Sequence, residues 1–212
     1  MPWRVEILDR RVERELDELA ADVRQRFLRI AELIERHGPA GVHEPYVKHL
    51  DGKLWEMRMK GKDGIARAIY ISAQRERVVV LHAFVKKSQK TPQRALEIAR
   101  QRAGDAVMTI PLKKVAKRWM KEPGFKEGYD ALEDEFALAS QLIEARSRAG
   151  LTQAEVAERM GTSQSTVARL ESGGAKPSLS TLRRFAKATG ARVRITVEPK
   201  PPSKTSRGRR AA

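Results

Sequence analysis

Six cationic side chains lie on or beside predicted strands within the first 107 residues. They are Lys48, Arg58, Arg67, Lys86, Lys87 and Lys90. Cations in fixed positions can bind phosphate groups and stabilise negative charge that develops on them during a reaction. The same region has no carboxylate pair, no Ser-His-Asp spacing and no Gly-rich phosphate loop. These cations are therefore its most distinctive chemical feature.

Two polar residues stand on predicted strand faces that are otherwise apolar. Arg67 shares its face with three isoleucines, where a charge needs a partner or a function. His82 shares its face with two valines and a phenylalanine. Arg67 can pair with Glu56 or Glu76, and His82 can be a hydrogen-bonded core residue. Arg58 and the three lysines that follow His82 can equally be solvated.

A second chemically informative pattern lies in residues 151–182. Thr152 and Glu155 have the spacing of a capping box, and Gly161 can supply the left-handed residue that ends the helix. Ser163 can cap the helix that follows. Two short helices joined by a Gly-containing turn predict a helix-turn-helix.

The second helix of this unit has an apolar face and a polar face. Val167 and Leu170 are predicted to point inward. The residues left outward are Gln164, Ser165, Ala168 and Arg169. Small polar groups and one arginine can read base edges in the major groove of DNA. Arg169 can instead be solvated or paired with Glu171.

The composition of the 212-residue chain favours a polyanionic partner. Its formal net charge is +16, with 41% hydrophobic and 33% charged residues, which excludes a membrane-spanning or wholly disordered chain. The N-terminus lacks the apolar run of a signal peptide, which predicts a cytoplasmic address and no membrane partner. Cysteine is absent and no histidine has metal-motif spacing, so we expect no metal and no cofactor.

The first 107 residues have the pattern of an α+β domain in which helices pack on a small antiparallel sheet. Strands are predicted at 3–7, 54–60, 64–72 and 77–85 from alternating or β-branched residues. Apolar steps of three and four between Val12 and Ile34 predict helices. Thr91-Pro92 begins another helix that ends at Gly104.

Residues 108–199 have the pattern of an all-α domain. A short helix is predicted from Leu112 to Trp119, a long one from Tyr129 to Ala149, and three shorter ones after it. The alternating segment 191–199 is a possible C-terminal strand. The basic tail 200–212 is expected to be disordered, because nothing in it can be buried.

Charge is distributed unevenly along the chain. Residues 1–107 carry 22 basic and 16 acidic groups, net +6, and residues 108–212 carry 21 and 11, net +10. Residues 122–135, called the acidic segment below, hold six acidic groups against one lysine, net −5. We expect the acidic segment to pack against the basic first half and to block access of RNA. These acids can alternatively solvate an exposed helix face.

Part of the second half resembles the Cro/repressor (XRE) family of helix-turn-helix domains. The resemblance covers about 140–190 and rests on GLTQAEVAERMG, SQSTVARLESG and PSLSTLRRFAKATG. It implies that Gln153 contacts a DNA phosphate. It also places Gln164, Ser165 and Arg169 in the groove, with Ser163 and Thr166 beside them as DNA-binding residues. A helical domain without a DNA-binding role is the alternative.

The first half resembles the HigB-type toxins of the RelE superfamily, in their phage-derived branch. The resemblance covers about 1–104 and rests on LWEMR, the strand arginine Arg67 and HAFVKKSQKTP. Such toxins are endoribonucleases that cleave mRNA, usually on the ribosome. It implies that Arg67, Lys86 and Lys87 are catalytic and that Lys48 and Arg58 bind RNA phosphate, with Lys90 beside them.

The residue types are consistent with this reaction. RNA can be cleaved by attack of its own 2′-hydroxyl on the adjacent phosphorus, which needs a base, an acid and cations but no metal. Crowded cations lower one another's pKa, so a lysine of this group could serve as the base. His82 could be the acid or the base.

Residues 108–199 resemble a HigA-type antitoxin as a whole, and Met108 falls where such an antitoxin would begin. The chain thus resembles a HigB toxin and its HigA antitoxin in one polypeptide, whereas the family has them as separate chains. A gene fusion, an engineered fusion and two sequences joined end to end all fit.

Two functions follow from these resemblances. The first is an mRNA endoribonuclease inhibited in the joined form, whose antitoxin half binds operator DNA and represses its own promoter. The second is a dimeric repressor with a catalytically inactive N-terminal domain. Dimer contact is expected through the antitoxin region, because dimers suit palindromic operators.

Overall fold

The structure is a computed structural model, and it describes residues 3–62, 64–86, 91–104 and 109–196. The first half forms a mixed sheet with helices, and the second half is helical apart from one short strand. This confirms the predicted fold class. The predicted joint at residues 107 and 108 and the tail 200–212 lie outside the described residues.

One six-stranded sheet organises the first half. The strands are β1 (Arg4–Ile7), β2 (Val47–Asp51), β3 (Leu54–Lys60), β4 (Ile65–Ala73), β5 (Arg77–Lys86) and β6 (Ile110–Pro111). Their order is β2-β3-β4-β5-β1-β6. Strands β3 to β5 form the predicted antiparallel meander, and β2 extends it. Strand β1 runs parallel to β5, and β6 from the second half pairs antiparallel with β1.

Three helices accompany the sheet in the first half. They are α1 (Arg10–Asp17), α2 (Ala21–His37) and α3 (Gln93–Ala103). The carboxylate of Asp9 accepts backbone N–H groups and caps α1. Helix α3 begins as predicted after Thr91-Pro92, although Pro92 occupies the cap position. The hydroxyl of Thr91 donates to Glu56 and leaves the helix uncapped.

Six helices follow within the described residues of the second half, 109–196. They are α4 (Leu112–Trp119), α5 (Phe125–Asp130), α6 (Glu133–Arg148), α7 (Gln153–Arg159), α8 (Gln164–Glu171) and α9 (Leu179–Thr189). The prediction of a single helix from Tyr129 to Ala149 is therefore wrong, because the helix is interrupted at Ala131 and Leu132. Three successive acidic residues then begin α6, where the positive end of the helix dipole favours them.

The predicted C-terminal strand does not form in the part of it that is described. Residues 191–196 belong to no strand, and Val193 and Ile195 are exposed. An alternating pattern makes a segment competent for a sheet, yet a strand also needs a partner to receive its hydrogen bonds.

Two hydrophobic cores are present in the described residues. The first core combines the sheet, α1 and α2 with residues of the second half, namely Leu112, Val115, Trp119, Phe125, Phe136, Ala139 and Ile143. The second core is formed by the helix-turn-helix region, with Leu142, Leu151, Val156, Val167, Leu170 and Phe185 among its members. The boundary between the two cores therefore lies within α6, where Ala139 and Ile143 belong to the first core and Leu142 belongs to the second. The first core runs through the second half as far as residue 143.

Candidate nucleic-acid interfaces

The candidate RNA site lies where β3 and β4 pair. Their antiparallel register places Arg58 directly opposite Arg67. Glu56 lies two residues before Arg58, and the alternation of side chains along a strand puts both on one face. The Nε of Arg58 donates to Glu56 Oε1 at 2.9 Å, and the Nε of Arg67 lies 3.5 Å from the same oxygen. The partner of Arg67 is therefore Glu56, one of the two alternatives from the sequence.

Glu56 is the buried centre of this group. It is only 1% exposed, and its second carboxylate oxygen accepts the hydroxyl of Thr91 at 2.8 Å. A buried carboxylate is tolerated because cations and a hydroxyl surround it. Arg58 also donates to the side chain of Glu44 at 3.3 Å. Arg58 and Arg67 are thus oriented by carboxylates, which counters the solvated alternative for Arg58.

Lys86 belongs to the same electrostatic environment. It ends β5, directly across from Ile65 at the start of β4. Burial and the charge of Arg67 lower the pKa of Lys86. Glu56 opposes this shift, while Arg58 and Lys48 add to it. The pKa of Lys86 is thus lowered first by burial, with the neighbouring cations adding to the shift, and its role as a base stays a prediction.

His82 is held by partners of its own. Its Nδ1 lies 2.9 Å from Glu15 Oε2, and its ring stacks on Phe84 at 5.1 Å between centroids. Burial alone would raise the pKa of Glu15, but hydrogen bonds from His82 and the Ala83 N–H, with Arg102, hold it below its ordinary value. This arrangement favours the hydrogen-bonded core histidine over the acid or base.

The other residues predicted for the RNA site are Lys48, Lys87 and Lys90. Lys48 is exposed on β2, in register with Glu56 on β3. Lys87 and Lys90 lie outside the described residues. A cleft of about 1020 Å³ opens beside Arg58 and Arg67, and the second half lines it with Glu135 and Ser172 among others. We call it the interface cleft.

The acidic segment packs on helix α2 through arginine–carboxylate pairs. Arg24 donates both terminal nitrogens to Glu122 at 2.9 and 2.7 Å. Arg26 does the same to Glu135 at 2.7 and 3.2 Å. A third pair joins Arg29 to Glu133 at 2.6 Å. The expected packing of the acidic segment against the basic first half is confirmed. The effect of this packing on the access of RNA stays a prediction.

Aromatic residues anchor the same contact. Trp119 is fully buried beside Phe27 and Phe125, and the guanidinium of Arg24 lies over its ring at 5.2 Å. The Nε1 of Trp119 donates to Asp17 at 2.7 Å. The contact thus combines apolar burial with oriented charges.

The helix-turn-helix forms as the sequence predicts. Thr152 and Glu155 make the capping box, and Gly161 adopts a positive φ of 60°. The hydroxyl of Ser163 accepts the Thr166 N–H and also contacts the hydroxyls of Ser165 and Thr166. These contacts fix the start of α8.

Helix α8 presents most of the expected residues to solvent. Gln164, Ser165 and Arg169 are exposed, and Thr166 is half-buried. The prediction for Ala168 is wrong, because this residue is buried at 8% exposure beside Val167 on the inner side of the short helix. The alternative pair between Arg169 and Glu171 does not form, since Glu171 is buried and its carboxylate binds Arg146.

Gln153 departs most from its predicted role. It is only 4% exposed, and its Nε2 donates to the carbonyl of Glu44 and to Glu171 Oε2, both at 2.9 Å. Its Oε1 accepts Gln164 at 3.1 Å. In this state its amide is fully engaged, so the phosphate contact that the resemblance implies is not available. The first half supplies the partner that replaces phosphate.

Three acidic residues of these sites were not predicted for their roles. Glu44 contacts both Arg58 and Gln153, Glu15 binds His82, and the buried Glu171 binds Arg146 and Gln153. Glu56 had a local signal, because it shares a strand face with Arg58. Glu15 and Glu44 had none, since their partners are distant in sequence.

Two kinds of feature are absent from the described residues. Among them, no group of three or more His, Cys, Asp or Glu side chains is arranged to hold a metal ion. No helix in that part of the chain has the length and apolar character needed to cross a membrane.

Comparisons with known proteins divide the chain in the same way. Residues 14–104 match the family model "Phage derived protein Gp49-like", and residues 142–194 match the model "Helix-turn-helix". The chain is 39% identical over 84 residues to "Antitoxin HigA1" of Mycobacterium tuberculosis, in strains CDC 1551 / Oshkosh and ATCC 25618 / H37Rv. The match covers 40% of this chain and 56% of each relative, so the chain spans about half the length of the curated relatives it matches. The chain therefore joins a region similar to the Gp49-like family to a region similar to the helix-turn-helix family.

Proposed function

We propose that this chain is a toxin and its antitoxin in one polypeptide. The first half is an endoribonuclease that cleaves mRNA, on the ribosome, and the second half holds it inactive. The second half also binds operator DNA and represses its own promoter. The observation that carries this proposal is the packing of the acidic segment on α2, which makes the second half part of the first core.

The likeness to known proteins supports both parts. The Gp49-like match covers strands β2 to β5 and their cations, and the relatives that resemble the chain are named antitoxins. A protein that joins a toxin half to an antitoxin half carries its own inhibitor at a fixed one-to-one ratio. Tethering also raises the effective concentration of that inhibitor.

The cleavage reaction can be assigned to groups on the strand face. Lys86, whose pKa is lowered, accepts the proton of the 2′-hydroxyl as it attacks phosphorus. Arg58 and Arg67 stabilise the extra negative charge of the phosphorane. Lys87, in its protonated form, donates a proton to the departing 5′-oxygen, leaving a 2′,3′-cyclic phosphate and a 5′-hydroxyl. Lys48 and Lys90 bind flanking phosphates.

Inhibition in this proposal acts through the interface cleft. Arg58 and Arg67 line one part of it, and Glu135 and Ser172 line another. Docking of α5 and α6 narrows the approach of a long RNA to these arginines. The carboxylate of Glu135 also repels phosphate from the cleft.

DNA binding in this proposal uses the exposed face of α8. Gln164, Ser165 and Arg169 contact base edges, while Ser163 and Thr166 contact the backbone. A homodimer formed through the antitoxin region reads two half-sites of a palindrome. The exposed apolar residues Val193 and Ile195 support a contact between copies there.

The runner-up is a dimeric repressor whose first half is catalytically inactive. One observation favours it: Arg58 and Arg67 are both held by the buried carboxylate of Glu56. Arginines committed to a carboxylate have less charge available for a phosphate. The two functions share the DNA-binding half and differ only in whether the first half cleaves RNA.

Charge reversal in the full chain distinguishes them. Glu133→Lys with Glu135→Lys removes two ion pairs to α2 and adds repulsion from Arg29 and Arg26. We expect the double variant to arrest growth and to cleave mRNA, measured by mapping transcript ends. Adding Lys86→Ala to it should restore growth.

The matched control is Asp134→Lys, on the residue between the two. Asp134 is exposed and forms no ion pair with any residue that the structure describes. This variant should remain harmless. Absence of cleavage in the double variant, once a lowered unfolding temperature shows that docking is weakened, would establish the repressor and exclude the nuclease.

A further inference from the structure

The segment 43–49 of the first half lies directly beside the DNA-reading helix. It leads into and forms most of β2, and it shares a groove of about 450 Å³ with Thr152, Gln153 and Gln164. Gln164 is the first residue of α8, and Gln153 is the first residue of α7. The first half therefore borders the face through which DNA must approach.

The distance between this segment and α8 is short. One side chain and two hydrogen bonds separate them, because Gln164 donates to Gln153 and Gln153 donates to the carbonyl of Glu44. The major groove is only about 12 Å wide, and its rims are the phosphate backbones. A duplex that takes α8 into its groove would bring one backbone against segment 43–49.

The chemistry of the contact also opposes DNA. The Glu44 carbonyl occupies one amide hydrogen of Gln153, and the carboxylate of Glu171 occupies the other. An anionic phosphate would meet acceptors there, together with the negative charge of Glu44. A phosphate and the Glu44 carbonyl cannot both bind the same amide hydrogen.

Few contacts hold segment 43–49 against the helix-turn-helix. Besides the Gln153 bond, the hydroxyl of Tyr46 donates to the carbonyl of Ser172 at 2.5 Å. A hydrogen bond of this kind contributes little net free energy in water. Tyr46 and Val47 are buried in the first core, so the segment stays with the sheet, and the helix-turn-helix, which has its own core, is the part that can move away.

We propose that duplex DNA and segment 43–49 compete for the same face of the helix-turn-helix, so that docking of the first half weakens DNA binding. This rests on the proposed DNA-binding function and adds its regulation. Because coupling between two binding events is reciprocal, DNA also weakens the docking of the segment. Apparent DNA affinity is reduced by the fraction of molecules in which the segment is docked.

Tyr46→Phe in the full chain tests the competition. It removes the hydroxyl bond to Ser172 and keeps the ring that stacks on Phe136. The probe is a labelled duplex of mixed sequence, about 30 base pairs long, at low salt, because phosphate contacts do not depend on sequence. We expect the variant to bind it about 2- to 10-fold more tightly than the unaltered chain, the equivalent of one hydrogen bond.

Tyr129→Phe is the matched control. Its hydroxyl also joins the two halves, through Glu32 on α2, but lies on the acidic segment and not on the helix-turn-helix. This variant should bind the duplex as the unaltered chain does. Hydrogen exchange gives a second readout: the amides of Tyr46 and Val47, which donate to the His43 carbonyl, should exchange faster when the duplex is added.

Equal affinity of Tyr46→Phe and the unaltered chain, or weaker binding by the variant, would overturn the competition while leaving DNA binding intact. Weaker binding would mean that the segment is part of the DNA surface. Failure of all three proteins to bind the duplex would overturn the DNA-binding function itself.

Discussion

The second half contacts the first half in two places that are built differently. At α2, three arginine–carboxylate pairs join the two halves, and a fully buried tryptophan there belongs to the first core. At the helix-turn-helix, the contact consists of side chains that donate to the carbonyls of Gly41, Glu44 and Ser172. Apolar burial makes the first contact part of the fold, whereas the second can open without unfolding.

This difference suggests that inhibition and DNA recognition are carried by separate parts of the second half. The first part, α4 to the middle of α6, would be a permanent element of the first core. The second part, with its own core, would be attached more loosely. The three tryptophans Trp3, Trp55 and Trp119 lie before or within the first part, so tryptophan fluorescence monitors the first core alone.

The largest expected effect is that of Trp119→Ala. Trp119 has no exposed surface, and its replacement removes contacts to Phe27 and Phe125 and the hydrogen bond that its Nε1 donates to Asp17. We expect the free energy of unfolding of the first core to fall by about 4 kcal/mol. Chemical denaturation followed by the fluorescence of the two remaining tryptophans measures it.

The control for that variant is Trp55→Ala, on a half-buried residue that meets His49 edge-on in the first half. Trp55→Ala should lower the free energy of unfolding clearly less than Trp119→Ala does. Equal losses for the two variants would mean that α4 is not an integral part of the first core, and the contrast between the two contacts would disappear.

A smaller loss, confined to the other region, is expected for Glu171→Gln. Glu171 is buried in the helix-turn-helix and binds Arg146 at 2.6 Å, so the variant leaves a buried guanidinium without its counter-charge. We expect about 3 kcal/mol of destabilisation. The far-ultraviolet circular dichroism transition of the helices should move to lower denaturant, while the tryptophan transition stays in place.

Glu158→Gln serves as its control, because Glu158 is exposed on α7 and its replacement should change stability by less than about 0.5 kcal/mol. If Glu171→Gln shifts both transitions together, the two cores unfold as one unit. The loosely attached helix-turn-helix would then be excluded.

Local features were predictable from sequence wherever a residue's surroundings come from its own neighbours. The capping box at Thr152, the cap at Ser163 and the left-handed Gly161 are decided within four residues, and all three formed. The antiparallel meander followed because alternation and short turns determine it. The charge contrast also predicted the packing of the acidic segment on the first half.

Long-range features were not predictable from one sequence. Nothing near Gln153 indicates that Glu44 would take its amide, since 109 residues separate them. The parallel pairing of β1 with β5 and the addition of β6 likewise depend on segments far apart in the chain. Within its described part, 191–196, the strand expected at 191–199 does not form for the same reason, because alternation does not supply a neighbouring strand.

The smallest expected effect is a pH dependence that separates the two contacts again. His37 lies at the first contact, where its Nε2 meets Ser140 Oγ at 2.8 Å, and His43 lies beside the second. Burial lowers the pKa of His37, with Arg36 adding to the shift, Glu144 opposing it and Arg146 adding further. Burial and then Arg146 lower the pKa of His43, against Glu171.

Both histidines are therefore neutral in the folded chain at a pH where the unfolded chain begins to bind protons. Since the unfolded state binds more protons, stability must fall as pH drops through about 6.5, the ordinary pKa of histidine. The carboxylates with lowered pKa values titrate at lower pH and do not contribute between pH about 7.5 and 5.5; they are Asp9, Glu15, Glu122 and Glu155. We expect His37→Gln to reduce the pH dependence of the free energy of unfolding when unfolding is followed by tryptophan fluorescence. His43→Gln should reduce it when unfolding is followed by circular dichroism. If each variant reduced both pH dependences equally, the two contacts would respond as one, and the looser attachment of the helix-turn-helix would have to be abandoned.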